Sequence, residues 1–185
     1  MGEPLVTFGH GTARPDEIVR LLRQAGVREL VDIRIAPGSR HNPQASRAEL
    51  ERWLPGHGIG YRWEKRLGGR RRPRPDSPDT ALRERGFAGY AAHMRSPEFL
   101  AAVDELLRGA GQARTAIMCA ESVWWRCHRR MVADFLVLAR GTPVLHLYHD
   151  GRLAPHRPCD LARVRGDGLL VYDAGQPVLW DGIEE

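Results

Sequence analysis

An apolar run that stops at a Gly-His-Gly turn, followed by a helix and a second apolar run, constrains this chain more than any other feature. Leu5-Val6-Thr7-Phe8 ends at Gly9-His10-Gly11 and reads as a strand entering a tight loop. Pro15-Asp16-Glu17 then opens a helix whose apolar face is Ile18, Leu21, Leu22 and Ala25, and Gly26 ends it. Residues 29–34 (ELVDIR) form the next strand. Two strands joined through a helix lie parallel in one sheet. The alternation continues with a helix over 46–54, carrying Ser46 as N-cap and Glu49 three residues on, and a short strand over 60–63. Helices follow over 87–94 and 97–107, the latter capped by Ser96. A buried-type strand covers 115–119, a helix 125–139 and a strand 143–148. Residues 169–172 and 177–179 are expected to form a terminal hairpin. This order predicts a single α/β domain over 1–185, with a mostly parallel sheet flanked by helices in a Rossmann-like three-layer arrangement.

Charge narrows the partners. Of 28 basic residues 27 are arginine, Lys65 being the only lysine, and the formal net charge is +5. Arginine's planar fork binds phosphate and carboxylate at two points, so an anionic small molecule or a nucleic acid is the expected partner. Over 67–78 the sequence Gly68-Gly69-Arg70-Arg71-Arg72-Pro73-Arg74-Pro75 cannot form a regular element. It reads as a basic, proline-broken loop, mobile without a partner. No apolar run approaches the roughly 20 residues of a membrane span, and the acidic N-terminus lacks a signal-peptide pattern. No membrane partner and a cytoplasmic location are therefore expected. The three cysteines are an odd number, which argues against a disulfide framework.

In open α/β sheets ligands bind at the carboxyl ends of the strands. That rule gathers His10 from the first strand, then Asp32, Arg34, Ser39 and Arg40 from the second. It adds Cys119 and Glu121 from the 115–119 strand. A thiol at Cys119 would face the start of the next helix, with Arg126, His128 and Arg129 close in sequence, and both effects favour a thiolate. The competing reading is a buried small hydrophobe. Glu121 is placed to act as acid, base or orienting group. On a helix over 125–139, Cys127 falls on the apolar face with Met131, Val132, Phe135 and Leu138 and reads as packing. His128 fits a pocket and a core equally well, and Arg129 flanks the face. Cys119, Cys127 and His128 are all zinc-type ligands, yet the spacing Cys-x7-Cys-His lacks the paired short spacings of structural zinc sites. The Cys-x5-Arg phosphatase loop also fails by count, because Arg126 is seven positions after Cys119.

The ordered set Thr7-Phe8-Gly9-His10-Gly11-Thr12, Val31-Asp32-Ile33-Arg34 with Pro37 and Ser39-Arg40, Asn42-Pro43, Leu67-Gly68-Gly69 and Gly86-Phe87 with Tyr90 and Met94 is followed by Cys119-x-Glu121-x5-Cys127-His128-Arg129. Together these resemble the bacterial and archaeal domain of unknown function 488 family, from about Thr7 to Tyr148. The resemblance implies an α/β fold and a shared polar site, marking Cys119, Glu121, Cys127, His128 and Arg129 with His10, Asp32, Arg34, Ser39 and Arg40, and it brings no defined reaction. In the family a charged, proline-containing loop usually precedes the second cysteine; here Ser122-Val123-Trp124-Trp125 stands in its place.

The combined expectation is an enzyme acting on a nucleotide, nucleic acid or other phosphate-bearing substrate. Cys119, Glu121, His10 and His128 would do the chemistry, and Asp32, Arg34, Ser39, Arg40 and Arg129 would bind the substrate. A non-catalytic nucleic-acid-binding or regulatory module, and a structural metal site at Cys119, Cys127 and His128, are the alternatives. The sequence assigns no cofactor.

Overall fold

Alternate residues of the central strands face opposite layers. The computed structural model describes residues 2–38 and 40–175. In it β1 (Leu5–Gly9), β2 (Glu29–Asp32), β3 (Gly60–Trp63), β4 (Thr115–Cys119) and β5 (Val144–Leu147) pair in parallel, and β6 (Leu153–Pro155) returns antiparallel along β5. The order across the sheet is β3-β2-β4-β1-β5-β6. Val6 and Phe8 of β1, Leu30 of β2, and Ala116 and Met118 of β4 pack against α1 (Pro15–Gln24) and α2 (Arg47–Trp53). Leu5, Val31 and Ile117 point the other way, toward α3 (Arg85–His93), α4 (Pro97–Ala110) and α5 (Arg129–Arg140). Each fully buried Val, Leu, Ile, Phe or Met side chain among them contributes about 1.5–3 kcal/mol. The result is the expected three-layer α/β arrangement. No helix among the described residues is long and apolar enough to cross a membrane.

Local signals set most element ends. Ser46 accepts from the Glu49 amide at the start of α2, and Ser96 from Phe99 at the start of α4. Gly26 turns the chain out of α1 with φ of 73°. The arginine-rich segment forms no regular element, as expected, but its first residues are anchored. Tyr90 Oη donates to the Leu67 carbonyl at 2.8 Å and His93 Nε2 to the Arg66 carbonyl at 2.6 Å. Gly89 of α3 lies so close to the Arg71 and Arg72 backbone that a methyl group there would overlap it.

One expectation needs correction. The helix foreseen from residue 125 begins at Arg129. Trp124–Arg126 forms a single 3-10 turn instead, and Cys127 follows in extended conformation. A long-range contact holds that turn: Trp124 stacks flat on His146, centroids 4.0 Å apart, and its Nε1 donates to Tyr148 Oη at 3.0 Å. Near the C-terminus, β8 (Leu170–Tyr172) pairs antiparallel with the upstream β7 (Ala162–Val164). Residues 177–179, the expected hairpin partner, lie outside the described residues.

His146 belongs to a buried chain of hydrogen bonds that joins β1, β5, α5 and β8. Asp134 accepts from Tyr172 Oη at 2.8 Å, from His156 Nε2 at 2.8 Å and from the Cys159 amide at 3.0 Å. His156 Nδ1 is hydrogen-bonded to His146 Nε2 at 2.9 Å. His146 Nδ1 in turn accepts from the Thr7 hydroxyl at 2.7 Å. Burial, then the neighbouring His156 and Arg129, push the His146 imidazole down to about 3. The folded state thus favours neutral His146, while the unfolded chain titrates near 6.5. Stability from this group is complete above the unfolded value and is lost as pH falls through the interval down to about 3. Urea unfolding should show a loss of about 2 kcal/mol between pH ~7 and ~4.5. Replacing His146 by Phe, which cannot titrate, should reduce that dependence. A wild-type profile already flat over this range would contradict the assignment.

Candidate functional site

The order β2-β4-β1 puts three carboxyl ends side by side, with Gly9 paired to Cys119 and Asp32 to Met118. The chain leaving β4 then crosses over β1. The His10 amide donates to the Cys119 carbonyl at 3.1 Å and the Gly11 amide to the Ala120 carbonyl at 2.8 Å. The crossing requires glycine at position 9, where a methyl group would overlap the Glu121 carbonyl and crowd the Arg129 guanidinium. Arg129 donates to that same carbonyl from below.

Asp32 and Arg34 form a buried fork. Arg34 Nε donates to Asp32 Oδ1 at 2.9 Å and its Nη2 to Oδ2 at 2.6 Å, while Tyr61 Oη donates to Oδ2 at 2.6 Å. Arg34 Nη2 also reaches the Ala45 carbonyl at 2.8 Å, and Nη1 donates to His10 Nε2 at 3.1 Å. His10 must therefore carry its proton on Nδ1, which donates to the Gly11 carbonyl at 2.8 Å. Burial, then the Arg34 charge, push the His10 imidazole below its usual range, so the neutral form fits the geometry. Asp32 and His10 stand behind Arg34, which presents its remaining surface to a cavity.

That cavity, about 620 Å³, lies over the carboxyl edge. Arg34, Cys119, Glu121, Arg126, Cys127 and His128 line it, closed by Arg70 from the basic loop and by Glu84 and Phe87 around the start of α3. Because Cys127 precedes the helix instead of lying on it, its sulfur turns toward Cys119 and His128. One donor atom from each of Cys119, Cys127 and His128 lies within 4.8 Å of the other two. Cys127 Sγ is 3.6 Å from His128 Nδ1 and accepts from the Arg129 amide at 3.5 Å. The two thiols share a hydrogen bond. That bond raises Cys119, with burial adding to it, and lowers Cys127, helped by His128 and Arg129. Of the two, Cys127 is the more readily ionised. From the sequence the thiolate was expected at Cys119; Cys127, expected as packing, is buried and also borders the cavity.

The remaining expected positions separate. Glu121 is exposed at the rim, its Oε1 accepting from the Val123 amide at 2.9 Å. Arg129 is 1% exposed and lies under the cysteines. Arg40 is exposed and does not line the cavity, and Ser39 lies outside the described residues. The sequence reading did not place Glu84, Phe87 or Arg126 at a pocket wall. Arg70 was visible only as part of a basic run. Nothing local marked Glu84, whose position depends on where α3 packs.

A family model matches residues 14–136, from the start of α1 into α5. The chain belongs to the family described as domain of unknown function DUF488. No match was found among curated proteins or among solved structures. The DUF488 segment contains β2, β3, β4 and every residue that lines the cavity, while β1 with His10 and the β5–β8 region lie outside it.

The crossing over Gly9 can be tested by substitution. Gly9→Ala should lower stability in urea by ~1–3 kcal/mol, the cost of overpacking, and should speed alkylation of Cys127 as the loop above it loosens. Gly38→Ala, where a methyl group meets nothing, is the control. Equal stability of the two variants would contradict the account.

Proposed function

We propose that this DUF488 protein is an enzyme that acts on a phosphate-bearing substrate, with the cavity over the carboxyl edge as its active site. The observation that carries the reading is the composition of one wall. Two thiols and an imidazole share the cavity with Arg34, Arg70 and Arg126. Arg34 is held rigid by Asp32, and Arg70 and Arg126 have no carboxylate partner among the described residues. Two exposed, uncompensated guanidiniums beside one fixed guanidinium suit a multiply charged oxyanion better than a neutral ligand. In this reading Arg70 and Arg126 bind the phosphate and Arg34 sets the charge of the cavity floor. The cluster of Cys119, Cys127 and His128 is the reactive centre, and Glu121 at the rim donates or accepts a proton. His10, Asp32 and Arg129 act as positioning residues. All three cysteines are free thiols, which accords with the cytoplasm, where we place the reaction.

A second reading has its own observation. Arg70, Arg72 and Arg74 are all exposed and none has a carboxylate partner among the described residues, which suits a nucleic-acid backbone. It differs in what the thiols should do, since a binding module needs neither.

Calorimetric titration with adenosine 5′-monophosphate, and with a thymidine oligonucleotide, separates the two. The enzyme reading predicts that Arg126→Ala and Arg70→Ala each weaken binding of the nucleotide about tenfold, the scale of one charge-assisted hydrogen bond. It also predicts that Cys127→Ser leaves binding within about threefold while removing turnover of a phosphate ester. Unchanged nucleotide affinity in both arginine variants would refute it. Tight oligonucleotide binding that weakens steeply with salt and ignores Cys127 would favour the binding module.

A further inference from the structure

We propose that Cys119, Cys127 and His128 bind a thiophilic divalent metal ion, of the zinc type, with a remaining coordination position open to the cavity. The site stands on its own geometry; only the use of the open position, to polarise an oxygen of the substrate, rests on the function proposed above.

The donor set is the first argument. Two sulfurs and one imidazole nitrogen converge within 4.8 Å from a strand end and a loop. Tetrahedral zinc, with Zn–S of about 2.3 Å and Zn–N of about 2.0–2.1 Å, places a sulfur and a nitrogen ligand roughly 3.6 Å apart. Cys127 Sγ and His128 Nδ1 are 3.6 Å apart. Three protein ligands facing a cavity is the pattern of a catalytic zinc, which keeps a position for water or substrate. The Cys-x7-Cys-His spacing is unlike a zinc finger because the ligands are not paired on hairpin knuckles. They meet only because the chain between them crosses over β1.

The surroundings of His128 supply a second, independent argument. A methyl group on Gly69 would overlap the His128 ring, so glycine lets the basic loop pack closely on it and hold its orientation. The other ring nitrogen, Nε2, is buried with no hydrogen-bond partner, and the ring packs edge-to-face on Tyr90 with centroids 5.0 Å apart. With Nδ1 given to a metal, the proton resides on Nε2 against this aromatic wall, and no acceptor nitrogen is left buried and idle. The Arg129 amide donates to Cys127 Sγ at 3.5 Å, the kind of outer contact that orients a thiolate ligand. Two thiolates would cancel the charge of a divalent ion, and binding releases the thiol protons to solvent.

Cobalt(II) is the probe. Full-length protein, reduced and freed of metal, should bind one equivalent and develop the near-ultraviolet thiolate-to-cobalt band and the visible bands of a tetrahedral site, and zinc(II) should displace it. Cys119→Ser, Cys127→Ser and His128→Ala should each weaken cobalt binding by at least about 100-fold, with circular dichroism confirming that they fold. Cys159→Ser should leave it unchanged. As a measurement that needs no variant, bound zinc should protect Cys119 and Cys127, but not Cys159, from maleimide. No cobalt uptake, uptake without a thiolate band, or uptake that survives loss of both Cys119 and Cys127 would overturn the proposal. So would a Cys119–Cys127 disulfide that, once reduced, yields protein unable to bind cobalt. Nucleotide binding that depends on Arg126 in protein that rejects cobalt would defeat the metal site alone. Cobalt binding without nucleotide binding would defeat the functional reading alone.

Discussion

Arg129 is the largest fully buried side chain of the described residues, and no carboxylate pairs with it there. Its guanidinium donates to the carbonyl of Glu121, and its backbone amide donates to the sulfur of Cys127. A buried cation without a counter-ion costs several kcal/mol, so its stability depends on negative charge nearby. The nearest source is the thiol pair, where Arg129 favours the ionised form of both sulfurs. One side chain thus ties the fold to the chemistry. It holds the strand-end loop over Gly9 and places a fixed positive charge beneath the two cysteines.

The rest of the molecule supports that arrangement from two sides. Beside β2, the Asp32–Arg34 fork, closed by Tyr61 and His10, keeps a second guanidinium rigid at the cavity floor. Beside β5, the chain Thr7–His146–His156–Asp134–Tyr172 fixes the platform on which Trp124 stacks. Trp124 sets the turn that swings Cys127 out of the helix and into contact with Cys119. Buried polar networks of this kind specify one arrangement strongly when every member is satisfied. The family segment carries the cavity wall itself, whereas Thr7, His146, His156 and Tyr172 fall outside it. In this chain the support is therefore supplied partly by regions that the family model does not cover.

Much of this could be read before any coordinates. The alternation of apolar runs with capped helices gave the parallel sheet, because strand–helix–strand connections leave few other arrangements. The rule that ligands sit at carboxyl ends brought Cys119 and Glu121 to the edge over which the cavity lies. Local reasoning failed where a distant contact decided the outcome. A helical wheel started at residue 125 put Cys127 on the helix; it is buried as expected but lies before the helix, since nothing in Trp124-Trp125-Arg126 announces a partner at His146. Asp32 and Arg34, read as substrate contacts, also pair with each other two residues apart, with Tyr61 completing the pair, which their spacing did not announce. Glu84 and Phe87 reach the cavity only through the packing of α3, which no spacing in the sequence encodes.

The central claim is that one cavity gathers an oxyanion site and a thiol–imidazole cluster on the same wall. A crystal of the reduced protein soaked in tungstate, a phosphate mimic located by its anomalous signal, tests it most directly. The account predicts tungstate inside the cavity, in contact with Arg126 and Arg70 and beside Cys127. Tungstate found only on outer arginines, with the cavity empty, would contradict it.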